Sequence, residues 1–304
     1  MPRAYAALLP LAFLSFDLRG YDVIISSSSY FAKGIRKPPG SLHLCYCHSP
    51  ANFLWRPDAY LSSAVTRAAT APLRAWLKRW DRWAAARPDA YMANGEAVAA
   101  RIRSFYRRDA TVVAPPIGAE WFIPHQANES YLVAGRLVAP KRIDLAIAAC
   151  ERLGVPLTIA GDGREAERLR QLAGPTVRFT GPLSDAELRR CYARAIALLV
   201  PAEEDFGMVP VEAQAAGTPV IAYDRGGARE SVVDGLTGLR FSPQTARALA
   251  AAIGESARRA WDEDAIRSNA GRFDERHFRE RVTNLVDRYA EPSPARVPAA
   301  SLQH

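Results

Sequence analysis

The chain has 304 residues and 49% of them are hydrophobic, which is enough apolar material for two cores, so two domains are the first expectation. A net charge of +8 points to an anionic partner: a phosphate, a nucleic acid or a membrane surface. The positive charge is spread over many arginines without an aromatic-basic RNA signature, which argues against a dedicated nucleic-acid face.

The opening run AYAALLPLAFLSF is 13 residues long, too short to span a bilayer, and has no small-residue cleavage pattern. It reads as a buried helix. YDVIIS (21–26) reads as a strand, SSYFAKGIR as a short helix and LHLCYC (42–47) as a second strand. Cys45, Cys47, Cys150 and Cys191 lack metal-site spacing, and a reducing cytoplasm is the simple reading. A helical stretch covers 64–86, broken near Pro72. DAYMAN (89–94) and TVVAPP (111–116) read as strands flanking the helix EAVAARIRSFYRR. A stretch of little periodicity then runs from Pro115-Pro116 to near Asn128 and reads as a linker.

Alternation then restarts more cleanly, with strands at SYLVAG, PLTIAG, TVRFTG, AIALLVP, TPVIAY and GLRF and helices between them. Helices at 243–256, 263–269 and 273–289 follow, and the Pro/Ser-rich tail 291–304 reads as disordered. Strand–helix alternation of this kind predicts a doubly wound α/β fold, which binds ligands at the carboxyl ends of its strands.

Three stretches lie at such ends. In SYLVAGRLVAPKRIDLAI, Arg136 and Lys141 follow the strand and precede a helix. A guanidinium fork and a compact ammonium can hold a diphosphate together, or they are two solvated loop cations. In LTIAGDGREAERL, Gly161-Asp162-Gly163 reads as a plain turn. In EEDFGMVPVEAQAAG, Glu204 lies on the loop after a buried strand and Glu212 in about the first turn of the next helix. Backbone N–H groups around Phe206 to Val209 would face the crevice, and Gly207 allows close approach. Two carboxylates suit sugar hydroxyls, although Glu212 could equally just complement the helix dipole.

The stretch ALLVPAEEDFGMVPVEAQAAGTPVIAYDRGGARESVVDGLTG closely resembles the E-x7-E region of family 4 retaining glycosyltransferases of the GT-B fold. VAGRLVAPKRIDLAI, TVRFTGPLSDAEL and the YCHSP-containing first-domain stretch share the likeness. The style is that of bacterial mannosyltransferase-like enzymes of O-antigen and exopolysaccharide assembly. The resemblance implies two Rossmann-like domains. Residues 1–127 would form the acceptor side, completed by helix 273–289, and residues 128–272 would bind the nucleotide sugar.

The family's pattern implies roles by position. Arg136 and Lys141 would bind the donor diphosphate, Glu204 would lie near the donor sugar and Glu212 would hold the ribose hydroxyls. The backbone of Phe206, Gly207 and Met208 would lie beside the sugar, and Thr180 to Leu183, including Gly181, would meet the nucleobase. His48 would face the donor sugar from the first domain. The donor implied is a nucleotide-diphosphate sugar, GDP-mannose favoured, and the acceptor a saccharide or lipid-linked saccharide, with no metal or other cofactor required. The acidic triplet Asp262-Glu263-Asp264 reads as a helix cap rather than a metal motif.

Against the family pattern, only about 20 residues precede YDVII, so the first domain is expected to lack about two βα units. A non-catalytic nucleotide-sugar binder and a sugar-nucleotide epimerase on the same fold therefore remain open. Finally, Trp76, Trp80 and Trp83 fall on one helix face among Arg74, Lys78, Arg79, Arg82 and Arg87. Such a helix can lie on an anionic membrane, which suits a lipid-linked acceptor, or it can pack its tryptophans on the sheet.

Overall fold

The computed structural model describes residues 9–57, 64–126 and 129–290. The tail 291–304 and the first part of the opening apolar run lie outside the described residues. The chain divides into two compact units. The first takes residues up to Asn94, Val98–Val113 and those from Phe278 on; the second takes Gly95–Ala97 and Ala114–His277.

In the first unit, strands β1 (Val23–Ser28), β2 (Leu42–Cys47), β3 (Ala90–Ala93) and β4 (Thr111–Val112) form a parallel sheet in the order β1-β2-β3-β4. β2 and β3 are buried on both faces, which is why they read as continuous apolar runs. On one face Cys45, Cys47, Tyr91 and Ala93 pack against Val98 and Ile102 of helix α5 (Glu96–Tyr106). On the other, Leu42, Leu44, Tyr46 and Met92 pack against Phe278, Val282 and Leu285 of helix α13 (Glu275–Ala290).

Several local expectations are corrected. The opening run was expected to be buried, but helix α1 (Leu9–Leu14) leaves Leu11 62% exposed, and Phe16 beyond it 54%. Phe13 is its residue packed against the neighbouring cluster of Phe31, Leu54 and Leu77. The short helix expected in SSYFAKGIR is a single 3-10 turn, Ala32–Gly34. Within it Lys33 turns inward, where its ammonium meets Asp81. Helix α2 (Asn52–Trp55) was not foreseen. The stretch 64–86 is helical as α3 (Ala64–Ala69) and α4 (Ala71–Ala85), with the break at Thr70. Pro72 then occupies the first turn of α4, where a missing N–H costs nothing.

In the second unit, β5 (Ser130–Ala134), β6 (Leu157–Ala160), β7 (Val177–Gly181), β8 (Ala195–Val200), β9 (Val220–Tyr223) and β10 (Gly238–Phe241) form one parallel sheet. Their order is β10-β9-β8-β5-β6-β7. Helices α6 (Ile143–Leu153), α7 (Ala166–Leu172) and α11 (Ala246–Ser256) bury one face. Helices α8 (Asp185–Ala193), α9 (Met208–Ala215) and α10 (Ala228–Ser231) cover the other. Strand order reverses at β5, so the crevice outside the carboxyl ends of β5 and β8 is where such a sheet offers a ligand site.

A boundary after residue 127 was expected, but the second unit begins at Ala114. The cause is packing. The Ile117 amide donates to the Phe273 carbonyl at 2.7 Å, and Ile117 is buried with Phe206 and Phe273. Trp121 lies against Tyr192 of α8, ring centroids 6.1 Å apart. No helix among the described residues is long and apolar enough to cross a membrane.

Candidate functional site

β5 ends at Ala134, and the chain turns through Gly135, at φ 132°, to the exposed Arg136. This turn rests on the Gly161-Asp162-Gly163 segment that follows β6. The Gly135 amide donates to Ala160 and the Leu137 amide to Asp162, both at 2.9 Å. A Cβ at Gly161 would collide with the Gly135 carbonyl, and one at Gly163 with that of Leu137. The segment read as a plain turn is therefore the bed on which the Arg136 loop lies. A 3-10 turn, Ala139–Lys141, then brings Lys141 back to the same place.

From β8, the chain passes Pro201 and Ala202 to Glu204, whose carboxylate is ion-paired with Lys141. The loop is anchored at both sides. The Gly227 amide donates to the Glu204 carbonyl at 2.9 Å. Phe206 turns its ring into the core, its centroid 5.4 Å from that of Phe273, and is itself no part of the cleft lining. Gly207, at φ 84°, starts α9, and no side chain caps that helix. Arg136, Lys141, Glu204, Gly207, Met208 and Val209 line one cleft. Among the described residues Arg136 has no ion-pair partner, and its guanidinium, the Lys141 ammonium and the dipole of α9 all make the cleft attractive to an anion.

Gly226 and Gly227 were not singled out from sequence, yet they shape this loop. Gly226 has φ 62° and faces the Glu204 carbonyl; a Cβ at Gly227 would collide with the carbonyl of Phe206. Gly227 itself has φ −64°, which any residue adopts, so the cost of a side chain there is steric alone. Gly227→Ala is expected to destabilise the second unit by about 1–3 kcal/mol, as overpacking does, and to push the 203–207 loop out of place. Urea unfolding checks this; an unchanged midpoint contradicts it.

Glu212, Gly181 and Leu183 do not line that cleft. Glu212 is the fifth residue of α9, in its second turn rather than the first, so it does not serve mainly to complement the helix start. Its carboxylate accepts a hydrogen bond at 2.8 Å from the hydroxyl of the fully buried Tyr192. Burial raises the Glu212 pKa, and the Tyr192 hydrogen bond pulls it back down. Gly181, at φ 74°, closes β7 and accepts from the Gly161 amide at 2.8 Å. Leu183 follows it, beside the capping box of Ser184 and Glu187 that starts α8. Leu183 and Thr180 line a separate open groove with Arg178 and Arg190. His48 follows β2 in the first unit, shares a 2.7 Å hydrogen bond with Ser27 and meets Tyr46 edge-on. Burial lowers its pKa below the ordinary imidazole value. Asp262 accepts from the amides of Asp264 and Ala265 at 2.9 and 3.1 Å, capping helix α12 (Glu263–Gly271). Among the described residues no group of three or more His, Cys, Asp or Glu side chains is arranged to hold a metal ion.

Residues 122–270, just under half of the chain, match the family model of glycosyl transferases group 1. The chain is similar to glycogen synthase of Mycobacterium tuberculosis, 38% identical over 141 residues, covering 43% of this chain and 34% of that one. It is similar to a GDP-mannose-dependent alpha-mannosyltransferase of Mycolicibacterium smegmatis, 39% identical over 106 residues, covering 34% of this chain and 28% of that one. The aligned stretches thus span about a third of these relatives or less. In structure the chain is similar to sucrose-phosphate synthase from Thermosynechococcus elongatus, with a TM-score of 0.72 at 22% identity over 90% of this chain and 74% of that one. The chain has the GT-B fold with its two Rossmann-like sheets, and residues 122–270 carry the pattern of glycosyl transferases group 1.

Proposed function

We propose that the protein is a retaining glycosyltransferase that moves a hexose, mannose in the first place, from a nucleotide-diphosphate sugar to a lipid-linked saccharide at the cytoplasmic face of the membrane. The reading is supported above all by the convergence of Arg136, Lys141 and the uncapped start of α9 on one cleft at the point where strand order reverses. The name of the mycobacterial mannosyltransferase relative favours GDP-mannose as donor.

In this reading Arg136 and Lys141 hold the diphosphate, with α9 contributing its N–H groups. The sugar–phosphate bond breaks with its electrons going to the leaving diphosphate, and the acceptor oxygen forms the new bond and gives up its proton to that leaving group. Positive charge fixed beforehand around the leaving group is the main source of acceleration, and no metal is needed to supply it. Glu204 lies beside the donor sugar, Glu212 holds the ribose, and the backbone from Gly181 to Leu183 meets the base. Lys141 is paired with Glu204 in the structure, so a diphosphate would share this ammonium with the carboxylate.

The test is incubation of the full chain with GDP-mannose and a lipid-linked saccharide, with the product's anomeric configuration read by NMR. The expected result is a mannosylated acceptor with the donor's configuration. Conversion of the sugar nucleotide without acceptor would make it an isomerase, and binding without turnover a non-catalytic binder.

A further inference from the structure

Helix α4 has two apolar sides. Leu77, Ala84 and Ala85 face the core of the first unit. Within α4, Pro72, Trp76 and Trp83 lie four and seven residues apart and so share another side. Among the described residues nothing covers that side: Trp76 is 54% and Trp83 48% exposed, with Leu73 52% exposed beside them and Val65 of α3 78% exposed. The tryptophans were expected on one face. Only Trp80 joins the core, edge-on to Phe31 at 5.4 Å, and the other two point away from it.

The charges placed on this stripe are those of Arg79 and Arg87. Of the other cations between 64 and 87, Lys78 and Arg82 lie over the Trp55 ring and Arg74 donates to the Arg67 carbonyl, and the one acid in that range is Asp81. Asp81 is fully buried and neutralised by Lys33, so it offers nothing to the surface. Arg79 sits within the stripe itself, between Trp76 and Trp83, and the Arg87 guanidinium lies 4.8 Å over the Trp83 ring.

We infer that this face docks on an anionic lipid surface, with Trp76 and Trp83 entering the headgroup boundary and the arginines meeting lipid phosphates. Exposed tryptophans flanked by cations alone are the pattern of an interfacial helix. A second copy of the chain fits less well, because it would set Arg79 and Arg87 against like charges on its partner. Docking is independent of the transfer reaction and is tested without any sugar nucleotide, so either reading can fail without the other.

The experiment is sedimentation of the full chain with vesicles of phosphatidylcholine alone or with phosphatidylglycerol added. Binding is expected with the anionic vesicles only, and release by high salt. Trp76→Ala with Trp83→Ala is expected to lower partitioning roughly tenfold, well within the value of burying two large side chains. Arg79→Gln is expected to lower it roughly fivefold, the worth of one cation near such a surface. All three side chains point to solvent, so circular dichroism of the variants should match the parent. Equal binding to neutral vesicles, no binding, full binding by the variants, or a vesicle-independent dimer lost in the variants would each overturn the inference.

Discussion

Glu204→Gln is expected to lower kcat roughly 10²–10³-fold, the scale on which loss of one preorganised electrostatic group acts, while the donor KM changes little. The donor sugar gains positive charge as its bond to the diphosphate breaks, and a carboxylate beside it is worth more then than in the ground state. Binding has a second reason to be spared. Glu204 holds the Lys141 ammonium, so its neutralisation frees that ammonium for the diphosphate. Glu212→Gln should behave differently. Glu212 lies in the second turn of α9 and accepts from Tyr192, and the ribose contact proposed for it is one made equally before and during the reaction. Its loss should raise the donor KM with kcat nearly kept. Steady-state kinetics of both variants at saturating acceptor separates the two roles. Equal losses, or a loss in binding alone for Glu204, would remove Glu204 from the chemistry.

Asp81→Asn is expected to destabilise the first unit by about 3–5 kcal/mol, the usual result of leaving a buried charge without its partner. Lys33 and Asp81 are 2% and 0% exposed, with Nζ and Oδ1 2.5 Å apart. The second Asp81 oxygen accepts from the Trp55 indole at 2.7 Å. Lys33 also donates to the Tyr30 carbonyl and lies 5.3 Å from the Tyr106 ring. One carboxylate thus joins the 3-10 turn after β1, α2 and α4. An amide keeps the shape but leaves the ammonium uncompensated in a dry site. Urea unfolding followed by circular dichroism measures the loss. The pair Lys33→Met with Asp81→Leu, which removes both charges, should recover most of it. A loss below about 1 kcal/mol in Asp81→Asn would mean that the pair is not stabilised as described.

Much of the fold was legible because buried parallel strands are written as short apolar runs. LHLCYC, AIALLV and TPVIAY could hardly be anything else, and the order of strands and helices predicts the second unit's sheet. Where the chain departs from its local pattern, one distant contact decides. Lys33 lies in the stretch read as a short helix, and Asp81, 48 residues on, draws it inward. The segment 114–126 lacked periodicity because its order comes from Phe273 and Tyr192, not from its own neighbours.

The candidate site divides in the same way. Arg136, Lys141 and Glu204 were legible because each is tied to a strand end, and strand ends of such a sheet converge. Gly161, Gly163, Gly226 and Gly227 were not. Each is needed for the space it leaves to a carbonyl far off in sequence, and no local pattern reports that. The glycine pair in DRGGARE was the available signal. Glu212 was placed in the correct helix, but its partner Tyr192 lies on another one and was invisible in the spacing.

Calorimetric titration of GDP into the full chain and into Arg136→Gln tests most directly whether the cleft between β5 and α9 takes a diphosphate. The parent should bind, and the variant should bind roughly 10–100-fold more weakly, the worth of one charge-assisted hydrogen bond to a phosphate. Undiminished affinity in Arg136→Gln would place the nucleotide elsewhere and contradict the assignment of this cleft.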